Sequence, residues 1–149
     1  MQTLHHSEAY QRLVQRIEML SSSATRNWGS MSIEEMLWHL RSQLEMALGK
    51  RSTHTNIRSY LRLPLFRWLA IYLIPWPKGA ATAPEMHIKK SNPALYSFEE
   101  EKRMLLTCLQ AARDAEVLHP HPLFGKLSKQ DWGRLIWKHI DHHLRQFGA

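Results

Sequence analysis

The sequence predicts an all-α fold: a four-helix bundle with a long, partly helical crossover between its second and third helices. Three observations predict it. Apolar residues recur at helical spacing in four segments. Three of those segments open on a Ser-x-x-acid signal of the kind that caps helix N-termini. No segment shows the period-two alternation of a half-buried strand, and there is no internal repeat or low-complexity tract. The connection between the second and third helices, about residues 50–95, is long for neighbours in a bundle, and crossovers of that length let the helices they join run parallel. The reading is one domain over residues 1–149.

The first helix is predicted from about Ser7 to Leu20, with Leu13, Val14, Ile17 and Leu20 on one side. Ser21-Ser22-Ser23 ends it, and Asn27-Trp28-Gly29 makes a turn. Ser32-Ile33-Glu34-Glu35 is a capping box, in which the Ser hydroxyl accepts the N3 amide and the Glu reaches back to the N-cap amide. The second helix follows, with Ile33, Leu37, Leu40, Leu44 and Leu48 on its inner stripe, a charged stripe of Glu34, Arg41 and Glu45, and Gly49 suited to its C-terminal end. Asn56 to Trp76 reads as a helical crossover interrupted at Pro64, after which Pro75, Pro77, Gly79 and Pro84 impose a loop as far as Pro93. The third helix starts at Ser97-Phe98-Glu99-Glu100 and carries Met104, Leu105, Cys108, Leu109 and Ala112 inside. His119-Pro120-His121-Pro122 cannot continue a helix. Ser128-Lys129-Gln130-Asp131 opens the fourth helix with Asp in place of Glu, and that helix runs to about Phe147.

Composition bounds the function without naming it. The chain has 149 residues, 44% of them hydrophobic, which excludes a disordered tail. Its single cysteine, Cys108, excludes a disulfide scaffold and fits a reducing, cytoplasmic location. The N-terminus lacks a basic start followed by an apolar run, so no signal peptide is expected. The most apolar run, Leu61 to Trp76, is shorter than a bilayer span and contains Arg62, Pro64 and Arg67. The net charge is +7, and between Glu45 and Glu85 no acid appears while Lys50, Arg51, Arg58, Arg62, Arg67 and Lys78 do. That segment is expected to pack on the bundle with its arginines in solvent. The alternatives are contact with an anionic membrane or nucleic acid, both disfavoured, or a homodimer interface.

The ten histidines carry more information. On the last helix, at about 100° per residue, Trp132, Leu135, Ile136, His139, His143 and Phe147 share one arc, and Arg134, Lys138, Asp141 and Arg145 the opposite one. His139 and His143 are four residues apart and stand one above the other, the geometry by which a helical H-x-x-x-H pair binds one metal ion. A core-facing histidine is commonly a satisfied polar group. Two in one apolar arc both need partners, and a shared cation would serve both. Periodicity leaves metal binding and plain hydrogen bonding open, and it selects no third ligand. His5 and His6 lie near a terminus expected to fray; His54, His87, His119 and His121 are in loops. His39 sits within a helix, on a shoulder with Met36, Gln43 and Met46.

Trp28-Gly29 before a capped helix, then Met36-Leu37-Trp38-His39-Leu40, resembles the start of a DinB-like (DinB/YfiT-like) bundle. His119-Pro120, Phe124-Gly125-Lys126-Leu127-Ser128, Asp131-Trp132-Gly133 and the closing run from Lys138 to Gly148 are similar to one subfamily of that superfamily, ending in a KHxDHHxRQFG-type motif. Pro75-Trp76-Pro77-Lys78-Gly79 and Thr82-Ala83-Pro84-Glu85 resemble its loop. The resemblance implies a four-helix bundle with a long crossover and a divalent metal, zinc or nickel, held by three histidines. Carried over by position these are His39, His139 and His143, with His142 a decoy at the wrong spacing. Gln43, His142 and Gln146 are placed around the ligands or a pocket. Relatives in the superfamily imply a transferase that uses a low-molecular-weight thiol, such as bacillithiol or mycothiol, on a small-molecule substrate. A metal-dependent hydrolase is the alternative, and a non-catalytic binding module built on the basic crossover is another. Asp141 and Glu85 are acid–base candidates only in a generic sense, and Cys108 reads as a small core residue.

Overall fold

The computed structural model describes residues 2–52, 59–78 and 88–149. The regular elements are α1 (Ser7–Glu18), α2 (Ile33–Ala47), a 3-10 turn (Tyr60–Arg62), α3 (Pro64–Trp68), a π-helical turn (Leu69–Leu73), α4 (Ile88–Ser91), α5 (Phe98–Asp114) and α6 (Lys129–Gln146). Among the described residues the sole β feature is an isolated bridge between His121 and Gly125. The four long helices are the four expected, and the fold is an all-α bundle. His54, Arg58, Gly79, Thr82, Ala83, Pro84, Glu85 and His87 lie outside the described residues.

The two helices that carry the candidate ligands are closed at both ends by local chemistry. Ser32 and Glu35 complete a capping box on α2, and Ser128 and Asp131 complete one on α6. At the C-terminus of α2, Gly49 takes φ +72°, its amide donates to Met46 O and the next amide, of Lys50, donates to Glu45 O. That is a Schellman motif, which needs the left-handed residue that glycine supplies most easily. Gly148 repeats the arrangement at the end of α6, with Gly148 N donating to Arg145 O and Ala149 N to Leu144 O.

The core joins Leu13 and Ile17 of α1, Leu37, Leu40 and Leu44 of α2, Leu105 and Leu109 of α5, and Leu135, Ile140 and Leu144 of α6. Burying such a side chain contributes about 1.5–3 kcal/mol. The α2–α5 pair packs most extensively. Arg41 meets Glu101, and His119 beyond α5 donates its amide to Ala47 O, so the partners ascend together as in parallel helices. The long crossover permits that arrangement.

Several expectations about the charged faces need correction. Arg41 is buried, because α2 is covered on nearly every side. Its guanidinium forks onto Glu101, Nε to Oε2 at 2.8 Å and Nη2 to Oε1 at 3.1 Å, and also bonds Glu45, which Arg51 holds from outside. Arg41 and Glu45 of the charged stripe therefore belong to an ion network between α2 and α5, while Glu34 accepts from the Ser32 hydroxyl. On α6, Asp141 is buried and bonds Arg16 of α1 at 2.7 Å. Lys138 donates to the carbonyls of Ala70 and Ile74, satisfying the end of the π-helical turn. Burial beside Arg134 lowers the Lys138 ammonium to about 8. The crossover is broken at Pro64 as expected: the 3-10 turn ends at Arg62, Leu63 is extended, and Pro64 opens α3 at a first-turn position, where its missing N–H costs nothing. Nor is the N-terminus frayed. Leu4 is fully buried, its amide donates to Gly133 O, and the His5 ring bonds Lys129 O.

Candidate metal centre

α2 and α6 bring His39, His139 and His143 together, the three residues carried over from the resemblance. His139 Nε2 lies 3.1 Å from His39 Nε2 and 3.1 Å from His143 Nε2, and one ring nitrogen of each residue falls within 4.8 Å of the others. His39 and His143 are buried; His139 keeps a partly open edge. The three rings meet edge to face, with centroids 4.8–5.1 Å apart.

Hydrogen bonding at the back of the cluster settles one tautomer. Gln146 Nε2 donates to Trp28 O at 2.7 Å, and a carbonyl can only accept, so the amide orientation is set. The Gln146 oxygen then faces His143 Nδ1 at 2.9 Å, and His143 must donate. Its Nε2 therefore points a lone pair into the cluster. His139 Nε2 is left between two imidazole nitrogens, and one in-plane proton cannot serve both. At least one of the 3.1 Å approaches is therefore not a hydrogen bond, and a cation among the nitrogens would account for both. Two nitrogens at 2.0–2.1 Å from a zinc ion sit about 3.3 Å apart in tetrahedral geometry and about 2.9 Å apart at right angles. The two 3.1 Å separations fall between these, and the three nitrogens all lie within 4.8 Å of one another, so the cluster could hold a divalent ion.

The electrostatics agree. Burial, followed by the neighbouring imidazoles His143 and His39, holds His139 well below the usual histidine range. Burial and His39 lower His143 to about 3, against a smaller upward effect of the Gln146 bond. Both rings are neutral near pH 7, as ligands must be.

The supporting residues divide by place. Gln146 is the outer partner of His143, and Gly29 makes room for it. A Cβ on Gly29 would stand 2.1 Å from Gln146 Nε2, and Gly29 has φ +84°. Trp28-Gly29 is thus a structural part of the site. His142 is not in the nitrogen cluster. It lies beside the Trp28 and Trp76 rings, at 6.0 and 6.3 Å between centroids. Trp76 itself covers His139 edge-on at 4.7 Å. Gln43 lines an apolar cavity of about 20 Å³ beside His139, with His121, Trp132, Leu135 and Ile136 among its walls. That holds a water and little more. Asp141 is tied to Arg16 and Arg145, away from proton transfer. Cys108 is buried on α5, which pushes its thiol up and makes it a core residue.

Sequence reasoning missed Trp76 and His121. A tryptophan between two prolines was the available signal for the first. His121 accepts the amides of Leu123 and Phe124 on Nδ1, at 3.1 and 3.4 Å, and its position in a loop gave no sign of burial.

Two measurements follow from these neighbours. Gln146→Ala is expected to weaken metal binding about 10–100-fold, the usual cost of losing an outer partner; competition against a chromogenic chelator reads it, and an unchanged affinity removes Gln146 from the site. Burial lowers His121 to about 4, against 6.5 for the free side chain. The unfolded chain then takes a proton in this window that the folded state refuses. Stability from this residue is complete above about pH 6.5 and falls as pH drops towards about 4, by up to about 3 kcal/mol. Urea midpoints of metal-free wild type should decline across that window more steeply than those of His121→Asn. Parallel curves would show that His121 does not contribute.

The family model described as protein of unknown function (DUF1569) matches residues 2–149. No curated protein and no solved structure matches the chain. Both halves of the histidine cluster, on α2 and on α6, fall within the matched span, and the chain belongs to the DUF1569 family of the DinB/YfiT-like superfamily.

Proposed function

We propose that this protein is a metal-dependent enzyme in which His39, His139 and His143 hold one divalent ion, zinc or nickel, and that it transfers a low-molecular-weight thiol to a small-molecule electrophile. The observation that carries the reading is the convergence of three imidazole nitrogens at 3.1 Å steps, with the His143 lone pair directed inward by Gln146. Structural zinc sites use four protein ligands, and three leave a position for chemistry. When bound, such an ion acts as a Lewis acid that lowers the pKa of a coordinated thiol or water.

The chain's own residues supply the rest. Burial keeps His139 and His143 neutral, Gln146 orients His143, and the Trp76 ring shields His139 from bulk water. In the reaction the thiol sulfur bonds to the electrophilic carbon, its proton passes to solvent, and the leaving group departs with the bonding pair. Two points support thiol transfer over hydrolysis. Superfamily relatives resemble thiol transferases. Among the described residues the histidine cluster also includes no carboxylate to act as general base towards water, and Asp141 is held by two arginines.

The test uses untagged protein. Elemental analysis should find close to one zinc or nickel per chain. Cysteine, bacillithiol or mycothiol offered with a chromogenic electrophile should be consumed only by the metal-loaded form. Ester hydrolysis without thiol consumption would move the assignment to a hydrolase. Metal content no higher than in a blank would remove the enzyme reading altogether.

A further inference from the structure

The crossover presents an unusual outer surface. Within fifteen residues Tyr60, Leu63, Leu65, Phe66, Trp68, Leu73 and Ile74 are all exposed, Leu65 and Leu73 by 63% and 64%. Contiguous apolar surface of this kind marks an interaction site. The segment packs on the bundle as expected, through Ile71 and, in part, Leu61 and Tyr72, but it has more apolar side chains than that contact covers. Arg62 stays exposed and Arg67 half-buried at its edge, donating to Pro122 O and Lys126 O at 3.1 and 3.2 Å. Tyr72 and Lys138 pin the same segment to α6 through Asp131 and through the Ala70 carbonyl, so the apolar side chains are held outward.

Charge decides what fits this surface. Carbonyls do not neutralise guanidinium groups, so Arg62 and Arg67 keep their full charge beside the apolar patch. Lys126 is exposed next to them, and Lys78 lies at the end of the segment over the Trp28 ring. Among the described residues none of these four cations forms an ion pair with a carboxylate. Asp131 is the acid that faces Arg67, and its oxygens are taken by Tyr72 and Ser128. Lys129 is paired with Glu116.

We infer that the crossover is a peripheral membrane-binding surface for anionic lipid. Tryptophan, phenylalanine and leucine enter the headgroup boundary while the flanking cations meet phosphate. A second copy of the chain would set the same cations against one another. Nucleic acid would leave seven apolar side chains against phosphates. The surface ends two residues before Trp76, whose ring covers His139, so a seated protein holds the metal centre close to the lipid.

The test is sedimentation of the metal-loaded full chain with vesicles of phosphatidylcholine, alone or mixed equally with phosphatidylglycerol. The mixed vesicles should bind at least about tenfold more tightly, and binding should weaken as salt is raised from about 0.1 to about 1 M. Leu65→Ser with Leu73→Ser should lower binding at least about tenfold, since each side chain is exposed now and buried in lipid when bound. Phe66→Ser serves as the second variant if the first loses its far-ultraviolet circular dichroism. Failure of wild type to bind mixed vesicles at low salt overturns the inference. So does equal binding by the variants, or a dimer in light scattering that the variants abolish while vesicles stay empty.

Discussion

Replacing His139 by alanine is expected to lower affinity for the divalent ion by more than the 10–100-fold cost of an outer partner, so by more than about a hundredfold. His139 is the shared member of both 3.1 Å contacts, and without it His39 and His143 have no common neighbour in the cluster. Because its edge is partly open, the substitution leaves no fully enclosed cavity, and metal-free His139→Ala should melt within a few degrees of metal-free wild type. His142→Ala is the control on register. It sits one residue from His143 on the same helix but outside the nitrogen cluster, so its metal content should match wild type. Elemental analysis of untagged proteins distinguishes the two. If His139→Ala retains a full complement of metal, the site assignment is wrong; if His142→Ala alone loses it, the helix presents the other spacing.

The second large effect lies away from the site. Glu101→Ala should cost about 3–5 kcal/mol, because it leaves Nε and Nη2 of the buried Arg41 unmet, with Glu45 its one remaining carboxylate partner among the described residues. Arg41 and Glu101 are 5% and 0% exposed, and Glu101 also accepts the Tyr96 amide. Against a total stability of about 5–15 kcal/mol that is a large fraction. For a chain of this size it corresponds to a fall in melting temperature of about 6–20 °C. Arg41→Met combined with Glu101→Leu should recover much of the loss, since two apolar side chains replace two desolvated charges. Urea denaturation gives both values. A cost under about 1 kcal/mol for Glu101→Ala would mean that water reaches the pair. Because Arg41 lies two residues from His39 on α2, the single variants should also loosen the metal site, and the paired replacement should restore it.

Much of this was legible in the residues. Capping boxes at Ser32 and Ser128 and the glycines at 49 and 148 mark the ends of the two ligand helices through bonds local to each turn. The H-x-x-x-H pair on α6 follows from helical pitch. What periodicity could not show was which face of a helix meets which neighbour. Periodicity puts Arg41 on a charged stripe and Asp141 on the arc opposite the apolar one, yet α2 is enclosed and each charge has a partner 60 or 125 positions away. Likewise His121 sits in a proline-rich loop and is half-buried because Trp132 of α6 and Phe124 pack on it.

By itself, then, the sequence determined the helices, their ends, the H-x-x-x-H spacing and the acid-free crossover, because each depends on contacts within a few residues. Periodicity selected no third member for the cluster; the resemblance named His39, and the packing of α2 against α6 brings it beside His139 and His143. The tertiary structure also decided that Gln146 reads the Trp28 carbonyl, that ion pairs join α1 to α6 and α2 to α5, and that seven of the crossover's apolar side chains stay exposed. Each of those depends on where helices far apart in the chain come to rest against one another, and side-chain period along one helix carries no record of it.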